Sequence, residues 1–203
     1  VLILPLSLEE NRRISNTDSG YILCLGRLSY YKGIEVLLKA YGMSKTNLKL
    51  IIVGDGEKEI VNQIKNFSVL GSKNVEFVNR FVSDKEKNEY LKKCSFFVFP
   101  SIAASEAFGI VQLEAMIYGK AVINTNLPTG VPYVSINNKT GITVEPKNIL
   151  ELSKAIDKLS FDIDLRNELG INAYNRVKSE FSNRVVLENL KNKYLEIEKN
   201  YDK

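Results

Sequence analysis

Tyr21-Ile-Leu-Cys-Leu-Gly26-Arg-Leu-Ser-Tyr-Tyr-Lys-Gly33-Ile-Glu-Val-Leu-Leu-Lys-Ala-Tyr41 is the stretch on which the fold turns. Its first five residues are a continuous apolar run that Gly26 ends. Ile34, Leu37, Leu38 and Tyr41 then recur at helical spacing, so the stretch reads as strand, loop, helix. The unit repeats downstream. Strands are predicted at 48–53, 75–78, 96–99, 121–124 and 141–144, with helices at 57–70, 84–93 (Ser83 as N-cap) and 109–118 between them. Phe96-Phe-Val-Phe99 is apolar throughout and closed by Pro100, as a strand buried on both faces would be.

This alternation predicts an α/β domain with a parallel sheet of about six strands, covered by helices on both faces. Ligands of such sheets bind beyond the carboxyl ends of the strands. The loops after Leu25, Val53, Val78, Phe99 and Asn124 are therefore the places to look for function. Two further helical stripes, Ile149/Leu152/Ile156/Leu159 and Val186/Leu190/Tyr194/Ile197, read as packing faces closing the chain. Residues 1–20, polar and turn-rich from Glu9 onward, read as a linker, and 21–203 as the domain itself.

Bulk properties narrow the function. The 203 residues carry a net charge of +4, too mild to argue for nucleic acid but suited to an anionic small ligand. Cys24 and Cys94 lie among apolar neighbours without CxxC spacing and read as buried free thiols of a reducing, cytoplasmic compartment. The absence of histidine excludes Ser-His and Cys-His catalysis and nearly every zinc site. No run approaches the ~20 apolar residues that span a bilayer. The chain opens without methionine inside an apolar segment, which predicts that it is part of a longer protein.

The chemistry is concentrated in two loops. Gly26-Arg27-Leu-Ser-Tyr-Tyr-Lys32-Gly33 places two cations five residues apart between a strand and a helix, where they can neutralise a diphosphate from two directions or stand as solvated charges. The second loop is Pro100-Ser-Ile-Ala-Ala-Ser-Glu106-Ala-Phe108-Gly109-Ile110-Val-Gln-Leu-Glu114. A helix beginning near Gly109 offers unpaired N–H groups to phosphate, with Glu106 just before it. Glu114 lies about 7.5 Å further along that helix, a suitable offset for a carboxylate accepting both ribose hydroxyls.

The Glu-x7-Glu spacing of Glu106 and Glu114 within Ser-Glu-Ala-Phe-Gly-Ile-Val-Gln-Leu-Glu-Ala-Met resembles the signature of glycosyltransferase family 4. Gly-Arg-Leu followed by Lys32-Gly33, Val53-Gly-Asp-Gly56, Pro100-Ser101 and Lys139-Thr-Gly-Ile-Thr-Val144 fall in that family's order. The resemblance runs from about Tyr21 to the C-terminus and implies the Rossmann-like, C-terminal donor-binding half of a retaining GT-B enzyme. It implies that Arg27 and Lys32 bind the diphosphate, that Glu106 contacts the donor sugar, and that backbone at Phe108, Gly109 and Ile110 cradles phosphate. Gly26 would shape the first loop, Glu114 would hold the ribose, and the base would lie near Arg80, Phe81 and Val82. No metal or other cofactor is expected, because cationic side chains and a helix end take its place. The partners implied are a nucleotide-diphosphate sugar and a sugar or lipid-linked acceptor, the latter bound by an N-terminal domain this chain lacks. Without that domain the chain is expected to transfer nothing.

The sequence departs from the family at Asn79-Arg80-Phe81, where Arg80 has a phosphate, a base or solvent to face, and at Leu127-Pro-Thr-Gly-Val-Pro-Tyr133 in place of a Gly-Gly-x-Pro-Glu run. A dinucleotide dehydrogenase is disfavoured by the lack of G-x-G-x-x-G, and a P-loop NTPase by the lack of its motif. The remaining rival is an inactive GT-B-derived nucleotide-binding or scaffold module. Lys85, Lys87, Lys92 and Lys93 read as one solvated helix face, with peripheral docking on the inner face of an anionic membrane as the alternative.

Overall fold

The computed structural model describes residues 13–69 and 73–201. Its sheet consists of β1 (Tyr21–Leu25), β2 (Lys49–Val53), β3 (Val75–Val78), β4 (Phe96–Val98), β5 (Val122–Thr125) and β6 (Gly141–Val144), all parallel, in the order β3-β2-β1-β4-β5-β6. The helices are α1 (Ile34–Met43), α2 (Lys58–Val69), α3 (Asp84–Lys93), α4 (Ile110–Met116), α5 (Val131–Val134), α6 (Ile149–Phe161), α7 (Ile163–Glu180) and α8 (Asn183–Tyr201). Each expected strand is present to within a residue or two at its ends. Residues 1–12 of the expected linker, and Leu70 at the expected end of α2, lie outside the described residues.

Successive strand residues face opposite sides of the sheet, which splits the core into two layers. Ile22, Cys24, Leu50, Ile52, Phe96, Val98 and Ile123 pack beneath α1, α2 and α6. Tyr21, Leu23, Ile51, Val53, Phe97, Phe99 and Val122 pack on the other face with residues of α3, α4 and α7. With both faces covered, the inner strands β1, β2 and β4 do not alternate polar with apolar, which is why their runs are continuous in the sequence, whereas the edge strand β3 exposes Glu76.

The C-terminal region differs from expectation. Three helices occupy it rather than two: α7, unread in the sequence, buries Leu169, Gly170, Ala173 and Val177. Its small residues hide a stripe that larger ones would have announced. Gly170 is close-packed, and a Cβ there would stand 2.1 Å from the Gly119 carbonyl. The stripe expected to pack on α8 is buried only at Val186, while Tyr194 and Ile197 are 61% and 45% exposed.

Residues 13–20 have no regular secondary structure but are held to the amino ends of the strands. Asp18 accepts hydrogen bonds from Ser95 Oγ (2.6 Å) and the Gly20 N–H (2.9 Å), and pairs with the buried Arg166 at 2.8 Å. Lys120 Nζ donates to the Thr17 carbonyl at 2.9 Å. Burial of this ammonium lowers its pKa. No helix among the described residues is long and apolar enough to cross a membrane.

Candidate functional site

The strand order reverses between β1 and β4: β2 and β3 lie to one side, β5 and β6 to the other. The loops leaving β1 and β4 must therefore part in opposite directions, opening a crevice at their carboxyl ends. Arg27 and Lys32 come from the first of these loops, Ser101 and Glu106 from the second.

Backbone contacts hold the two loops together. Tyr30–Lys32 makes a single 3-10 turn that ends at Gly33, whose φ of 67° is left-handed. The Ile102 N–H donates to the Tyr31 carbonyl at 2.8 Å. A Cβ on Gly33 would stand 2.0 Å from the Pro100 carbonyl oxygen, so glycine is required both by conformation and by closeness. On the other side, the Leu28 N–H donates to Asp55 and the Glu57 N–H to Leu28, joining the β1 loop to the one after β2.

Lys32 Nζ donates to Glu106 Oε2, and Ser101 Oγ donates to the same oxygen at 3.2 Å. The two charged side chains are only 18% and 11% exposed. The ammonium also lies 5.0 Å from the Phe99 ring centroid and 5.1 Å from that of Tyr31, within cation–π range. Arg27 lines the same crevice with Lys32, Gly26, Phe99 and Ser101. It is exposed and makes no ion pair among the described residues.

Gly109 caps α4 with a φ of 75°, and a Cβ there would meet the Phe99 ring at 2.6 Å. The first N–H groups of α4 follow directly and have no intrahelical acceptor. Phe108, before the cap, packs edge-on against Phe181. Ile110 is 48% exposed. Glu114, one turn on, is 20% exposed and accepts a hydrogen bond from Lys87 of α3 at 2.8 Å. Burial works to lower the Lys87 pKa, but its bonds to Glu114 and Asp84 outweigh it and the net shift is upward.

Two site supports carry no family motif. Gln112 and Asn124 are fully buried polar residues. Gln112 Nε2 donates to the Phe108 carbonyl (3.2 Å). Asn124 Nδ2 donates to Gln112 Oε1 (2.9 Å) and to the carbonyls of Val131 (3.0 Å) and Ser135 (3.1 Å). The divergent loop 127–133 is thereby fixed where it enters α5, with the Gly130 N–H on the Ala107 carbonyl. A polar residue inside Ile-Val-Gln-Leu and another ending Val-Ile-Asn are the sequence signals of this network.

In the loop expected to face the base, Arg80 is committed to Glu86 through both guanidinium NH groups, one of them at 3.0 Å. That pairing raises the arginine pKa and lowers that of Glu86. Phe81 is 91% exposed and Val82 is buried. The α3 lysines are not one solvated face: Lys92 and Lys93 pair with Glu89, whereas Lys87 crosses to α4. Cys24 and Cys94 are free and buried.

Sheet, switch point and paired glutamates define the class: a Rossmann-like domain of the GT-B glycosyltransferase type. The chain belongs to the family of glycosyl transferases group 1, whose model matches residues 8–176. It is 35% identical to D-rhamnosyltransferase WbpZ of Pseudomonas aeruginosa over 164 residues, covering 80% of this chain and 42% of that protein. It is 30% identical to the capsular polysaccharide biosynthesis glycosyltransferase CapM of Staphylococcus aureus over 191 residues, covering 92% of this chain and 49% of CapM. The chain thus spans less than half the length of these curated relatives. Among solved structures, S. aureus TarM in complex with fondaparinux, alpha-GlcNAc-glycerol and UDP superposes with a TM-score of 0.78 at 21% identity, over 91% of this chain and 37% of TarM.

Proposed function

We propose that this chain is the donor-binding domain of a retaining glycosyltransferase that moves a sugar from a nucleotide-diphosphate sugar onto a surface-polysaccharide or glycolipid acceptor. One observation carries the reading: Arg27 and Lys32 line a single crevice where the strand order reverses, and Glu106 is hydrogen-bonded to Lys32 there. Arg27 and Lys32 neutralise the diphosphate as it leaves, doing for charge what a divalent cation does elsewhere. The backbone from Phe108 to Ile110 takes a phosphate, Glu106 the sugar hydroxyls, and Glu114 the ribose. The nucleobase lies over the loop bearing Phe81 and Val82.

The polysaccharide assignment is supported by the name of CapM, sugar transfer by the names of both WbpZ and CapM, and the nucleotide by the UDP in the TarM structure. Acceptor binding and closure of the cleft belong to sequence that the relatives possess beyond the matched region. The chain alone therefore binds donor but does not transfer it. Peripheral membrane association draws little support from α3, where Lys87, Lys92 and Lys93 are already paired with carboxylates.

Calorimetric titration with UDP, GDP, ADP and their sugar conjugates tests this reading. One nucleotide class should bind saturably, and Arg27→Ala should weaken it roughly tenfold or more, since a charged hydrogen bond is worth about 1.5–3 kcal/mol. If neither this chain nor the longer protein containing it binds any of them, the fold serves some purpose other than transfer.

A further inference from the structure

Each glutamate of the Glu-x7-Glu pair is held by a lysine from a different part of the chain. Lys32 of the β1 loop holds Glu106, and Lys87 of α3 holds Glu114. Lys87, unlike Lys32, lies outside the family motifs quoted above. We propose that Lys87 is a positioning residue for the ribose site: it fixes the Glu114 carboxylate in the orientation that accepts the ribose hydroxyls. This inference rests on the assignment of Glu114 to the ribose.

The geometry distinguishes Lys87 from its neighbours. Lys92 and Lys93 are 42% and 49% exposed and pair within their own helix with Glu89. Lys87 is 21% exposed and its ammonium reaches Glu114 Oε1 on another helix at 2.8 Å, with Asp84 Oδ1 at 3.0 Å. Two of its three donors are thereby committed to carboxylates. The helix carrying it is itself well fixed at its start, since Ser83 Oγ accepts the Glu86 N–H and Glu86 holds Arg80. An anchor so placed sets the position of what it binds.

Glu114 has a flexible side chain that a ligand would otherwise have to order. A partner already holding one oxygen removes that ordering from the binding step. It does not exhaust the acceptor. An ionised carboxylate has about four lone-pair sites, so Oε1 can take Lys87 and one hydroxyl while Oε2 takes the other. The cation also stays on the carboxylate and away from the diphosphate, which is served by Arg27 and Lys32 at the crevice between the β1 and β4 loops.

The test uses UDP, GDP and ADP, each beside its 2′-deoxy counterpart, titrated by calorimetry into wild type, Lys87→Met, Lys87→Arg, Glu114→Gln and the Lys87→Met/Glu114→Gln double variant. Lys87→Met should weaken the preferred ribonucleotide about fivefold and leave its 2′-deoxy counterpart within about twofold, with Lys87→Arg recovering most of the loss. In the double variant, removing Lys87 should cost nothing further. Equal losses on ribo- and deoxynucleotides, or additive losses in the double variant, would overturn the inference and leave Lys87 an interhelical ion pair. If wild type binds while Lys87→Met binds as well as wild type, the inference alone fails. If wild type binds none of the nucleotides, whether as this chain or within the longer protein, the donor-site reading fails and takes the inference with it.

Discussion

Replacing Lys32 by methionine should destabilise the fold as well as the proposed donor site, because its partner Glu106 cannot escape. The Glu106 side chain is 11% exposed, and without the ammonium it keeps one neutral partner, the Ser101 hydroxyl. Breaking a buried pair by removing one member costs about 3–5 kcal/mol. The residual exposure of both groups reduces this to about 2–4 kcal/mol. Glu106→Gln should cost less, about 1–2 kcal/mol, since the freed ammonium keeps the Phe99 and Tyr31 rings 5.0 and 5.1 Å away and has a stem long enough to reach water. The double variant, with neither charge, should return to within about 1 kcal/mol of wild type. Urea unfolding at neutral pH followed by far-UV circular dichroism reads these differences. At about 2–3 kcal/mol/M for a chain of this size, Lys32→Met should move the midpoint down by roughly 1 M. A Lys32→Met midpoint unchanged from wild type, or a double variant no more stable than Lys32→Met, would refute the account of a charge pair that is mutually dependent.

Gly33→Ala should lower the melting temperature by roughly 4–8 °C, corresponding to about 2 kcal/mol, since its Cβ would meet the Pro100 carbonyl; Gly20→Ala, equally left-handed but with nothing within 4 Å, should cost about half as much. Arg166→Met should cost about 2–4 kcal/mol and accelerate hydrogen exchange at the Ser15 and Ser19 amides, because Asp18 would lose the charge that pins residues 13–20 to the domain. Burial raises both thiols, Cys24 and Cys94, from 9.0 to about 12. Their contribution to stability is whole below pH 9 and is lost between pH 9 and 12, by up to about 1.4 kcal/mol per pH unit for each thiol. Urea midpoints at pH 7.5 and 10 should therefore fall less steeply in a Cys24→Ala/Cys94→Ala variant than in wild type.

The strands were legible because both faces of this sheet are covered, which leaves the apolar runs of its inner strands unbroken. The site loops were legible for the related reason that glycines and charges stand where a buried chain would not tolerate them without a purpose. The α7 helix escaped because its buried face includes Gly170 and Ala173, which carry no apolar period. The α8 stripe misled in the opposite sense: periodicity reports a face suited to burial and does not say what lies against it. Pairings across the fold were beyond reach altogether. Nothing local in Asp84-Lys-Glu-Lys-Asn-Glu separates Lys87 from Lys85, and only the packing of α3 beside α4 makes one of them an anchor for Glu114.

Arg27 and Lys32 now separate into different kinds of cation. Arg27 is exposed and makes no ion pair among the described residues, so its charge is available to a diphosphate at no structural cost. Lys32 is already engaged with Glu106, and a phosphate approaching it must share the ammonium with that carboxylate. Ammonium has three donors and two aromatic faces steady it, so sharing is feasible without breaking the pair. At the proposed donor site, the phosphate end and the sugar end of the donor would then be linked through one side chain. Loss of Arg27 should accordingly weaken nucleotide binding and leave the melting temperature alone. Loss of Lys32 should disturb both, and in a way that Glu106→Gln partly repairs for the fold but not for the donor.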